Sequence, residues 1–203
     1  MSASPPSQQE RASQLRDLAG DINALAAEGL PPVHLWNPSH CGDIGLAIAS
    51  DGSWSLENSP IRRDRLVKLF ASVLRRDDDG CHYLVTPVEK IIVSVADAPF
   101  LAVEMAVTGE GREQRLALRT NLDDWVEVDC DHPLRFVEHP VDRAFKPYVL
   151  VRSRLEARLT RALVYDLIEH AAIQQLEGVE TLGVWSNGTF FPIGSAAELE
   201  RTR

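Results

Sequence analysis

Apolar residues recur at helical spacing early in the chain. Leu15, Leu18, Ile22, Leu25 and Ala26 share one face of a helix predicted over 10–29, with Gly29 as its stop. Two prolines in LPPVHLWNP exclude helix from the next stretch. Alternation then takes over. DIGLAIASDGSWSLE reads as strand, Asp51-Gly52 turn and strand, a hairpin whose two turn residues tolerate positive φ. Ser59 is placed to cap a helix and Pro60 to open it, which predicts helix over 61–75 with Leu66, Leu69, Phe70 and Val73 on the apolar face and Arg75 and Arg76 at its C-terminal end.

The second half is richer in β-pattern. KIIVSVADAPFLAVEMAVTG, QRLALRTNLDDWVEVD, LRFVEH and PYVLVR predict strands joined by polar turns. Leu155, Leu159, Leu163, Leu167 and Ile168 then fall at helical spacing, predicting one long amphipathic helix over 152–176. The chain closes on a hairpin at Asn187-Gly188. IASDGSWS…SPI and GVWSNGTFFPI share an Asp/Asn-Gly turn, a following aromatic and a Pro-Ile, so an internal structural duplication is expected. The division expected is a tail and helix over 1–29, a hairpin–helix–strand subdomain over 30–95, and a β-rich subdomain over 96–203.

Composition narrows the function classes. With 203 residues, 44% hydrophobic and 25% charged, the chain can bury a substantial core and matches soluble globular proteins. A net charge of −9 disfavours a nucleic-acid polymer or an anionic membrane as partner. Cys41, Cys81 and Cys130 are odd in number and widely spaced, which points to free thiols in a reducing cytoplasm. The N-terminus has neither the basic start nor the apolar run of a signal peptide.

No nucleophile elbow, phosphate-binding glycine loop or dinucleotide fingerprint occurs. His40-Cys41, Cys81-His82 and Cys130-x-His132 lack chelating spacing, so neither a metal nor any other cofactor is expected, and the cysteines are expected in the core. The arginines carry more information. Arg62, Arg63 and Arg65 stand at the start of the predicted 61–75 helix, and Arg152 and Arg154 at that of the predicted 152–176 helix, continued by Arg158 and Arg161. Helix N-termini favour acids, so two arginine-led helices suggest an anion bound between them. The plainer alternative is surface arginines lying over apolar area or paired with Asp64, Glu156 and the RDDDG acids.

WNPSHCGDIGLAIASDGSW, PIRRDRLVKLFASVLRRDDDG, YLVTPVEK, DAPF, RTN, HPLRF, KPYVLVRSRLEARLTRALVYDLIE and GVWSNGTFFPIG together resemble the bacterial family called domain of unknown function 1285, from about residue 36 to 194. The resemblance implies an α+β protein of two related subdomains packed together, the C-terminal one superficially like pleckstrin-homology folds. It implies no established enzymatic activity, and a small anionic ligand, nucleotide-like among the options, bound at the subdomain interface in signal transduction. The matched polar positions are Arg63, Glu89, Lys90, Asp97, Asn121, Arg152 and Arg158. Ser153-Arg154 stand where the family is expected to carry glycines.

A cytoplasmic, non-enzymatic binding module is therefore the leading expectation. Arg63, Lys90 and Arg152 would supply charge, Asp97 and Asn121 would orient polar edges, and Trp54 or Tyr83 could stack on a ring, core placement being the plainer reading of both. A hydrolase or transferase acting on a phosphorylated small molecule is the alternative, with Glu89, Asp97 or His82 as its base. A protein–protein adaptor is a third, and would show an exposed apolar patch.

Overall fold

The computed structural model describes residues 8–25, 30–138 and 145–197, in two compact units, Met1–Asp97 and Ala98–Arg203. The protein is mixed α+β, with most of its core built on sheets.

In the first unit, helix α1 (Gln8–Leu25) buries Leu15, Leu18 and Ile22 as its spacing predicts. The expected continuation to Gly29 lies outside the described residues. Strands β1 (His40–Ile48) and β2 (Trp54–Leu56) form the predicted hairpin. Its turn works differently from expectation. Only Gly52 has positive φ (79°), while the Asp51 carboxylate accepts hydrogen bonds from the Ser53 N–H (2.9 Å) and hydroxyl (2.6 Å). Those bonds hold the Asp51 pKa below its usual value.

The residues after β2 correct a second expectation. Glu57 and Asn58 both adopt left-handed φ (47° and 65°), forming a tight turn without glycine. Ser59 and Pro60 consequently pair with Leu56 and Ser55 as strand β3 (Ser59–Pro60) and do not cap a helix. Helix α2 begins only at Asp64 and ends at Ser72 (Asp64–Ser72), burying Val67, Phe70 and Ala71. Arg62 therefore precedes the helix, Arg63 is its N-cap residue, and the acidic Asp64 occupies the first turn. Arg75 and Arg76 lie on strand β4 (Leu74–Arg76), followed by β5 (His82–Val85) and β6 (Glu89–Val95). The sheet order is β3-β2-β1-β6-β5-β4, antiparallel except for the central β1–β6 pair. Leu46, Ile48, Trp54, Phe70, Leu74 and Leu84 are almost wholly buried around it.

The second unit opens with β7 (Phe100–Thr108), β8 (Arg115–Thr120) and β9 (Trp125–Glu127), then β10 (Leu134–Glu138), β11 (Phe145–Arg152) and β12 (Leu155–Leu159). The single long helix expected over 152–176 does not form. Ser153, at φ 49°, turns the chain back so that β12 pairs antiparallel with β11 and parallel with β7. The four-residue spacing of Leu155, Leu159, Leu163 and Leu167 imitates a helix. The buried alternation Leu155, Ala157, Leu159, with strands on both sides, decides for β. Helix α3 is short (Arg161–Glu169), and Ile168, expected to face inward, is 48% exposed. The six-stranded sheet runs β10-β11-β12-β7-β8-β9.

Strands β13 (Ala171–Leu176), β14 (Val179–Ser186) and β15 (Thr189–Ser195) make a separate antiparallel sheet. The Asn187-Gly188 hairpin is as predicted, with both residues at positive φ. Gly183 is required by contact, since a Cβ there would lie 2.5 Å from the Phe190 ring and the Phe191 carbonyl. Ser186, fully buried, fastens this sheet to the larger one: its hydroxyl donates to the Val128 carbonyl (2.6 Å) and accepts the Leu116 N–H (2.9 Å).

Candidate functional site

In the first unit, Arg63 is exposed beside a shallow cleft of about 400 Å³ lined also by Ala19, Gly20, Asn23, Arg65 and Leu66. Neither Glu89 nor Lys90 lines it. Glu89 opens β6, its N–H bonded to the Thr86 hydroxyl and its carbonyl to the Thr86 N–H, which makes it the closing residue of a turn. Lys90 has its Nζ 3.2 Å from an Asp77 carboxylate oxygen and 4.3 Å from the centre of the Tyr83 ring. Asp77 also receives a two-point contact from Arg75 (2.6 and 3.2 Å), and Arg75 donates at 2.6 Å to each of the Val33 and Trp36 carbonyls. Burial alone would raise the Asp77 pKa. The hydrogen bonds from Arg75 and Lys90 outweigh it and hold the carboxyl below its usual range. Lys90 is thus part of an ion-pair network with Arg75 and Asp77, one of the RDDDG acids. Asp97, half-buried, ends the unit.

The second unit brings two of its three expected residues, Arg152 and Asn121, to the start of β7, while Arg158 is linked to it only by strand register. Arg152 ends β11 with its guanidinium 5.0 Å from the centre of the Phe100 ring and Nη1 3.3 Å from an Asp124 oxygen. Asn121 grips the next residue, its Oδ1 accepting the Leu101 N–H (3.0 Å) while its own N–H donates to the Leu101 carbonyl (2.8 Å). Arg158, on β12, stands in register with Leu101 on one side and Tyr148 on the other. Asp124 is placed by the Thr120 hydroxyl, which accepts its N–H and that of Leu122. Burial lowers the Arg152 pKa, and the partly exposed Asp124 only partly opposes it. Phe100 ends the DAPF stretch and Asp124 follows closely on RTN, two of the stretches that carry the family resemblance.

The remaining expectations resolve individually. Trp54 (2% exposed) and Tyr83 (6%) are core residues rather than stacking platforms. Tyr83 donates to Asp79 (2.8 Å), and this bond and then burial push its pKa up. His82 is half-buried on β5, and burial followed by the Arg76 charge lowers its pKa. All three cysteines are free and exposed, contrary to the expected core placement. Among the described residues, no group of three or more His, Cys, Asp or Glu side chains is arranged to hold a metal, and no helix is long and apolar enough to cross a membrane.

Residues 31–98 match the N-terminal domain and residues 99–193 the C-terminal domain of a protein of unknown function, DUF1285. The chain belongs to the DUF1285 family. It is 41% identical to a DUF1285 family protein from Silicibacter pomeroyi DSS-3 of known crystal structure, with a TM-score of 0.81, over 91% of this chain and 98% of that one. A second DUF1285 family structure, from Shewanella baltica OS155, is 27% identical with a TM-score of 0.50, over 62% of this chain and 91% of the other. No curated protein matches the sequence. Arg63, Glu89, Lys90 and Asp97 fall in the N-terminal DUF1285 domain, and Asn121, Arg152 and Arg158 in the C-terminal one.

Proposed function

We propose that the chain binds a small anionic ligand, nucleotides being the leading class, and that the C-terminal unit receives the anion at the Arg152 corner. The placing of Arg152 against the Phe100 ring, with Asn121 bonded to the adjoining Leu101 backbone, carries this proposal. Arg152 lies against the Phe100 ring and contacts the Asp124 carboxylate, and burial works against its charge. An anion would relieve that cost and would meet the fork geometry of a guanidinium. Trp125, 52% exposed and adjacent in sequence to Asp124, offers aromatic surface for a base. On this proposal the chain is a ligand-sensing module in signalling. The pleckstrin-homology likeness expected of this unit is a fold-level analogy and contributes no ligand class.

Thermal-shift measurements with inorganic phosphate, AMP and GMP provide the test. At ligand concentrations about a hundredfold above Kd, stabilisation of about 2.7 kcal/mol is expected. Arg152→Gln should abolish the shift while Arg152→Lys retains part of it. No stabilisation by any of the three, or an undiminished shift in Arg152→Gln, would sink the proposal.

A further inference from the structure

We propose that the second unit contains another binding site, an apolar cavity that takes an uncharged aliphatic or aromatic small molecule. The pocket, partly open to solvent, has a volume of about 320 Å³ and is lined by ten residues, all with apolar side chains. Phe136 of β10, Pro147 of β11, Val164 and Ile168 of α3, Ile173 of β13 and Leu182 of β14 represent its walls. None of the residues at the Arg152 corner lines it.

The shortness of α3 explains the space. The helix seats Leu163 and Leu167, 5% and 1% exposed, in the core, and the chain then leaves it directly for β13. Ile168 and Ile173 are left 48% and 60% exposed on either side of that junction while still lining the cavity. Among the described residues no side chain fills this apolar hollow; such a hollow costs stability, and exposed isoleucines at its edge add to the cost. Both costs fall when an apolar molecule enters.

Size and chemistry select the occupant. A cavity of roughly 150 Å³ accommodates benzene, so twice that volume fits a bicyclic aromatic or a chain of about eight to ten carbons. It falls at the small end of ligand pockets, and an α-helix about 10 Å across is too wide for it. No lining side chain could hydrogen-bond a carboxylate or phosphate, so a charged group seated among them would lose hydration without a side-chain partner. The occupant is therefore an uncharged small molecule.

The test titrates the full chain with the neutral dye N-phenyl-1-naphthylamine and follows its fluorescence. One saturable site is expected, displaced by 1-octanol and by naphthalene and not by inorganic phosphate. Val164→Phe, which fills the hollow, should weaken dye binding at least about tenfold. Ile173→Asp, which places a charge at an exposed position, should do the same while leaving the circular dichroism unchanged; it guards against misreading a folding defect. Absence of saturable binding, displacement by phosphate, or undiminished binding in both variants overturns the site. So does sedimentation showing a dimer that excludes the dye and is dissolved by Ile173→Asp, since the hollow would then be an interface between copies.

Discussion

The two six-stranded sheets repeat one design with different energetic weight. Each has two antiparallel meanders joined by one central parallel pair, β1–β6 in the first unit and β7–β12 in the second, with the same order outward from it. The repetition reaches the side chains. Arg75 on β4 stands opposite Tyr83 on β5, and Arg135 on β10 stands opposite Tyr148 on β11. A cation lies 4.3 Å from each tyrosine ring, Lys90 in one case and Arg135 in the other. Each arginine also holds a carboxylate, Asp77 or Glu156. Yet Arg75 and Asp77 are only 16% and 18% exposed, and Arg75 ties down two backbone carbonyls, whereas Arg135 is 50% exposed. Equivalent geometry thus does structural work where it is buried and little where it is wet.

That contrast can be broken by mutation. Arg75→Ala should cost about 3 kcal/mol in urea unfolding, because it leaves a half-buried carboxylate to Lys90 alone and removes the donor to two carbonyls. Ser186→Ala, the second unit's own buried tie, should cost about 1–3 kcal/mol by the same measurement, since it strands the Leu116 N–H and removes a donor to Val128. Arg135→Ala should cost at most about 1 kcal/mol. Equal losses at Arg75 and Arg135 would end the distinction.

The smallest effects appear in pH dependence. The Asp77 carboxyl titrates lower when folded than its unfolded value of about 3.9, so its stabilisation is complete above that pH and is lost as pH falls through the folded value. Asp77→Asn should flatten the acid limb of a plot of urea midpoint against pH. His82, depressed below about 6.5, works through its neutral form: its contribution is present above pH 6.5 and declines as pH falls below it. His82→Gln should remove that decline between pH 6.5 and 5.

Hairpins were the most legible part of the fold, because Asp51-Gly52 and Asn187-Gly188 declare their turns in two residues. Elements that depend on distant partners were not. Glu57-Asn58 makes a glycine-free turn, and this alone moves Ser59-Pro60 from helix cap to strand. Residues 152–160 have leucines at four-residue spacing and became strand only because β7 and β11 flank them. The arginine pattern and the family resemblance both pointed to Arg152, and the resemblance to Asn121. The groups that meet Arg152, Phe100 and Asp124, lie 52 and 28 residues before it in sequence, a separation that no local pattern bridges. Matched turns suggested duplication between the first and last hairpins, whereas the repeated strand order relates β1–β6 to β7–β12.

The parallel pair at the centre of each sheet also sets a clock. Leu46 pairs with Val93, and Phe100 with Ala157, so each sheet waits for roughly 50 residues of intervening chain before its middle can close. At synthesis rates of about 5–20 residues per second, the first meander of each unit spends roughly 3–10 s with an unpaired inner edge. During that interval the β1 and β7 edges are open to any other strand, including those of a neighbouring nascent chain. Crowded translation is therefore a condition under which mispairing of these edges is expected.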